Sequence, residues 1–256
     1  MNLKTLLFVN NPCFKTGRSI VPKGIMVHST GANNPTLKRY VGPDDGLLGK
    51  NLYNNHWNQD KPGMRQVCVH AFIGKLADGS IATYQTLPWN HRGWHAGGSA
   101  NNTHISFEIC EDGLTDAAYF HAVYKEAVEL CAFLCKRYSL DPAQDGVLIG
   151  HYEGYRRGIA NNHADPGRWF LRFGKSMDSF RGDVKALITG GGVPELAVPV
   201  EIEETVSTSE PTIPAPVMPK KLYRIQIGAY SVKANAEAML AKVKAAGFKD
   251  AFIKSE

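Results

Sequence analysis

Residues 150–170 read GHYEGYRRGIANNHADPGRWF, a stretch that sets His151, His163 and Asp165 behind the apolar run VLIG. That run follows an Asp-Gly turn signal and reads as a short strand delivering His151 into a loop. A loop that gathers two imidazoles and a carboxylate carries the donors of a metal site if other strand ends complete it. Two segments end in the same way. PKGIMVHSTG (22–31) is an apolar strand with His28 at its close, and RGWHAGGSANNTHISFEIC (92–110) is a Gly/Asn loop entering a strand that holds Glu108.

The elements between these segments set the fold class. QVCVHAFIG and IATYQTLP are β-like runs joined by KLADGS, whose Asp-Gly marks a hairpin. Over 116–138 the apolar residues Phe120, Val123, Tyr124, Ala127, Cys131, Leu134, Cys135 and Tyr138 keep a helical period, with Thr115 or Asp116 as N-cap. A last helix is expected over Asp178–Ile188. Ala32–Arg65, rich in Asn, Pro and Gly, reads as a long surface segment, with brief helical suggestions at Leu37–Val41 and Leu52–Asn58. Strands mixing with helices predict an α/β domain, a central mixed β-sheet flanked by helices, over residues 1–189. The Pro-, Thr- and Glu-rich stretch 190–221 has a linker's composition, and 222–256 reads as a small β-α-β half-module.

Composition narrows the function classes. The chain has 256 residues and a net charge of +5, with its lysines and arginines spread evenly, so it is not read as a nucleic-acid binder. A mildly basic surface does suit an anionic polymer. No stretch approaches the roughly 20 apolar residues of a membrane span, so no membrane insertion is expected. LKTLLFV near the start is too short for an export signal, which reads as synthesis in the cytoplasm. Five cysteines at irregular spacing argue against a disulfide framework, and Cys131 and Cys135 read as buried thiols.

A hydrolytic zinc site needs three protein ligands, a carboxylate to move the water's proton, and a donor for the developing oxyanion. The chain offers His28, His151 and Asp165 as ligands, Glu108 as base and His163 as donor. Singly, each has another reading: His28 a satisfied core histidine, Glu108 a solvent-facing strand residue, Asp165 a turn residue before Pro166, His163 a surface histidine. Together they share one property, a position where a strand ends and a loop begins.

IMVHSTG, GWHAGG with NNTHISFEI, GHYEG and HADPGRWF, in this order over roughly residues 20–188, resemble the motifs of the type 2 N-acetylmuramoyl-L-alanine amidases. That fold is shared with peptidoglycan recognition proteins and amidase-type phage lysozymes, and the likeness is closest to prophage endolysins. The resemblance implies one Zn2+ held by His28, His151 and Asp165, with Glu108 as the catalytic glutamate. It also implies bacterial peptidoglycan as substrate and Trp94, His95 and Asn102 as substrate-groove residues, with Tyr84, Trp89 and Asn101 as further contributors. Many members carry a lysine two residues before the third ligand; this chain has His163, either an oxyanion donor or itself the third ligand. His70 reads as structural. YRIQIGAYSVKANAEAMLAKVKAAGF resembles the first half of a SPOR-type peptidoglycan-binding repeat, whose open strand edge suits pairing into a homodimer. The expected activity is cleavage between the muramic lactyl group and the L-alanine of the stem peptide, on the wall, after holin-type release or lysis. The rival readings are a non-catalytic recognition protein on the same fold and a cytoplasmic recycling amidase.

Overall fold

The computed structural model describes residues 1–190, together with Glu237, Leu240 and Lys244, which are helical. The chain divides into two compact units, Met1–Glu201 and Ile202–Glu256. Most of the expected linker and half-module, and with them the expected pairing, lie outside the described residues.

A six-stranded sheet organises the first unit. Its strands are β1 (Leu3–Thr5), β2 (Gly24–Ser29), β3 (Ala71–Lys75), β4 (Ile81–Gln85), β5 (His104–Ile109) and β6 (Leu148–Gly150), in the spatial order β1-β4-β3-β5-β2-β6. β3, β5, β2 and β6 run parallel, while β4 is antiparallel to β3 as the hairpin required and β1 runs with β4. The expected mixed sheet is therefore present.

Strand periodicity assigns the faces. Successive side chains on a strand point to opposite sides. Ile25 and Val27 of β2, Ile105, Phe107 and Ile109 of β5, and Ala71 and Ile73 of β3 enter one core, against α2 (Ala117–Tyr138) and α5 (Met177–Ile188). The opposite parity sends Phe72, Ala82 and Tyr84 into a second core with Phe8, Leu37, Tyr40, Val41 and Leu48, and Met26 and Ile149 into a third, small cluster. His28 shares Met26's parity and Glu108 shares Ser106's, so both leave the α2 side. In the parallel register His28 is paired with Glu108, and Glu108 with Phe72.

α2 forms where the 3.6-residue period predicts it. Asp116 caps it, accepting from the Tyr119 backbone N–H at 2.9 Å, and Ser139 ends it in the left-handed conformation. Every apolar residue of the predicted face except Tyr138 is buried, and full burial of each large one contributes about 1.5–3 kcal/mol. α5 is capped by Ser176, whose hydroxyl accepts from the Ser179 N–H at 3.2 Å.

Three expectations need correction. Leu52–Asn58 forms no helix: Leu52 and Tyr53 are exposed, and Asn51 turns the chain by accepting from the Tyr53 N–H and donating to Lys38 O. Asparagine side chains that compete for backbone groups favour such turns over helix. Nor is 32–65 only surface, because Leu37, Tyr40, Val41 and Leu48 are buried against the sheet. The stretch after β6 is not one loop: His151 opens helix α3 (His151–Arg156), and α4 (Gly167–Arg172) follows Pro166. The sequence reading also missed β1 and the short helix α1 (Pro12–Lys15). A three-residue strand is too short to show alternation.

Candidate active site

The parallel strands β2, β5 and β6 end on the same side of the sheet, where open α/β sheets hold their ligands. His28 comes from the end of β2, Glu108 from β5, and His151 from the start of α3, immediately after β6. Glu153 secures the α3 start, accepting from the Gly150 N–H at 2.9 Å while Arg181 of α5 pairs with it at 3.0 Å. Asp165 sits before α4, and its backbone carbonyl accepts from the Tyr152 N–H at 3.2 Å.

His28, His151 and Asp165 each offer a ligand atom, and these atoms lie within 4.8 Å of one another. His28 Nδ1 is 3.2 Å from Asp165 Oδ2 and His151 Nδ1 is 3.5 Å from Asp165 Oδ1. Tetrahedral ligands about 2.0–2.2 Å from a zinc ion stand roughly 3.3–3.6 Å apart, so the donor set and the two histidine–aspartate spacings fit zinc. Both rings are nearly enclosed, His28 at 2% and His151 at 3% exposure. Their outer nitrogens are engaged, His28 Nε2 with His95 Nδ1 at 3.0 Å and His151 Nε2 with Asn161 Oδ1 at 2.9 Å. Such outer contacts fix the tautomer of a metal-binding imidazole.

Electrostatics matches a site built for a cation. Burial pushes His28 below the usual imidazole range, against the pull of Asp165. Burial would raise Asp165, but its contacts with His151 and His28 outweigh that and hold it far below the usual carboxylate range. Glu108 moves the other way. Burial, then the charges of Asp165 and Glu111, drive it well up, with Arg65 acting in opposition. Its Oε2 is enclosed and has no hydrogen-bond partner among the described residues. The Glu108 residue as a whole is only half-buried, and it is the enclosed oxygen that decides its chemistry: a desolvated carboxylate is a stronger base.

His163 lies outside the trio. Its side chain is 56% exposed, its Nδ1 is 3.9 Å from Asp165 Oδ1, and its ring stacks on His151 with centroids 4.7 Å apart. His95 lies beside His28, driven well below the usual range by burial and the neighbouring histidines His28 and His70. Its Nε2 is enclosed without a partner among the described residues.

The other expected groove residues differ in their surroundings. Trp94 is half-buried and packs on the second core, with its backbone bridged to Cys68. Asn102 is exposed and accepts from Arg92 Nε at 2.6 Å. Its neighbour Asn101 shapes the site instead, accepting from the backbone N–H groups of His95 and Ala96, both at 2.9 Å. Tyr84 is buried with its hydroxyl donating to Asp45 at 2.7 Å, and Trp89 is buried against Phe133, so neither lines a groove. His70 is structural as expected, fully buried between Ser106 and the His91 carbonyl. The five cysteines are buried free thiols. The sequence reading missed Arg65, Glu111 and Asn161, none of which stands in a motif. Glu111 accepts from Ser29 Oγ at 2.5 Å beside the site.

Among the described residues no helix is long and apolar enough to cross a membrane. No curated protein matches the chain. The fold is similar to Staphylococcus aureus hydrolase AmiA, solved in complex with its ligand, at 21% identity and a TM-score of 0.52 over 76% of this chain and 87% of that one. It is also similar to a glutamate-to-alanine mutant of PlyL, at 19% identity and a TM-score of 0.52 over 73% of this chain and 99% of that one. Residues 219–256 match the SPOR domain. Residues 17–168, more than half of the chain and inclusive of His28, Glu108, His151, His163 and Asp165, match the family model of N-acetylmuramoyl-L-alanine amidase. The chain belongs to the N-acetylmuramoyl-L-alanine amidase family, and it is a peptidoglycan amidase.

Proposed function

We propose that the chain is a zinc-dependent amidase that cuts the bond between the muramic lactyl carbonyl and the L-alanine nitrogen of the stem peptide, in the role of an endolysin or autolysin. The observation that carries this reading is the convergence of His28, His151 and Asp165 ligand atoms within 4.8 Å beside the enclosed carboxylate of Glu108. Zinc, when bound, supplies a Lewis acid for the scissile carbonyl and lowers the pKa of a bound water to about 7.

The chain's own residues supply the rest. Glu108 takes the attacking water's proton and passes it to the leaving amine nitrogen. Its enclosure keeps its basicity high and removes competing water. His163, exposed at the rim, donates to the oxyanion as charge develops there. His95, Trp94 and Asn102 stand on the same loop and contribute contacts along the groove. Residues 1–189 form the catalytic domain, 190–221 a linker, and 222–256 a wall-binding module that raises local concentration on glycan strands.

Metal removal and replacement test the reading. Dialysis against a chelator should abolish hydrolysis of purified peptidoglycan, and one equivalent of zinc should restore it where magnesium does not. Full activity in the metal-free protein would refute zinc dependence.

A further inference from the structure

We propose that Asn161 is a positioning residue whose side-chain carbonyl accepts the Nε2 proton of His151, holding that ring in the tautomer that presents a bare Nδ1 to a divalent cation. The inference rests on the metal reading given above.

Asn161 Oδ1 lies 2.9 Å from His151 Nε2, while His151 Nδ1 faces Asp165 Oδ1 at 3.5 Å on the other side of the ring. A neutral imidazole has one N–H and one lone pair, so an acceptor at Nε2 dictates where the lone pair points. The ring has little freedom to answer otherwise, being wedged edge-on to His28 at 4.6 Å and stacked on His163.

Asn161 is held by the loop that precedes β5. Its backbone N–H donates to Ala96 O at 2.8 Å, and the Ala100 N–H donates to Ile159 O at 3.0 Å. Gly97, at φ +60°, leaves the space its amide occupies: a Cβ there would stand 2.9 Å from Asn161 Cγ. At Gly98 a Cβ would stand 2.4 Å from the Ile159 carbonyl oxygen. The last two glycines of GWHAGG thus let the loop close on Asn161 and aim it at the ring. The residue is exposed as a whole, which is the wrong place for a core-forming role and allows substitution without disturbing the fold.

The test compares zinc dissociation constants of the full chain and its Asn161→Ala, Asn161→Asp and Gly97→Ala variants, by competition with a chromogenic chelator, alongside melting of each metal-free form. Asn161→Ala should bind zinc about 10–100-fold more weakly, the usual effect of removing such an outer contact. Its metal-free melting temperature should stay within about 2–4 °C of the native one, the effect of losing one hydrogen bond. Asn161→Asp keeps the acceptor and should bind within about threefold of native or tighter, and Gly97→Ala, which displaces the amide, should weaken binding. Native affinity in Asn161→Ala, or an Asn161→Asp variant as weak as the alanine one, overturns the proposal while leaving the zinc reading intact. A native protein that takes up no zinc refutes the zinc reading itself, and the role of Asn161 falls with it.

Discussion

Glu108 lies on β5 with one carboxylate oxygen enclosed and without a hydrogen-bond partner among the described residues. Its carboxyl is raised by burial and by the charges of Asp165 and Glu111, so the folded chain holds that proton more tightly than the unfolded one. The sign follows from proton linkage: stability falls as pH rises from the unfolded value of about 4.3 toward the raised folded value, and stays lowered above it. Glu108→Gln should therefore raise the melting temperature of the metal-free protein at neutral pH and leave it unchanged well below pH 4, while abolishing hydrolysis; each kcal/mol regained is worth about 2–4 °C in a domain of this size. Paired thermal melts at the two pH values check this. Arg65 opposes the rise. Arg65→Ala should shift the acid limb of the kcat/KM profile to higher pH, because the base then protonates earlier, and an unmoved limb would show that Arg65 is too well solvated to matter.

At the scale of elements, the sheet positions the chemistry and α2 holds the sheet. Phe120 is fully buried among Trp169, Phe170 and Phe173. Phe120→Ala should destabilise the domain by about 3–5 kcal/mol, measured by denaturant unfolding, through lost burial and the cavity left behind. The elements with long, regular patterns were legible in the sequence: α2 from its period, the β3–β4 hairpin from Asp-Gly, and β2 and β5 from apolar runs ending in His28 and Glu108. β1 was not, since three residues carry too little pattern and its partner strand is distant in the chain, Leu3 pairing with Thr83. The metal candidates could be read because each stands where a strand ends or a loop turns. Asn161 and Arg65 could not, because their importance comes from what folding sets beside them, an imidazole nitrogen and a buried carboxylate. Tyr84 and Trp89 were misjudged for the converse reason: an aromatic near a loop has the same appearance in sequence whether it faces a groove or, as these two do, packs inward.

At the scale of the whole molecule, the proposed reading gives hydrolysis to residues 1–189 and retention on the wall to residues 222–256, within the stretch that matches the SPOR domain. A chain ending at residue 189 should hydrolyse small soluble muropeptides at the native rate and lose activity on intact wall sacculi, a difference that pull-down on purified sacculi would reveal directly. Equal activity of the short and full chains on sacculi would remove the wall-binding role from the C-terminal region. The proposed activity turns on which bond is cut and on Glu108 as the base. Mass spectrometry of purified peptidoglycan, digested with the zinc-loaded native protein and with zinc-loaded Glu108→Ala, decides both at once. The native protein should release stem peptides with free L-alanine N-termini and the variant none; cleavage at a glycosidic or interpeptide bond, or equal release by the two proteins, would contradict the assignment.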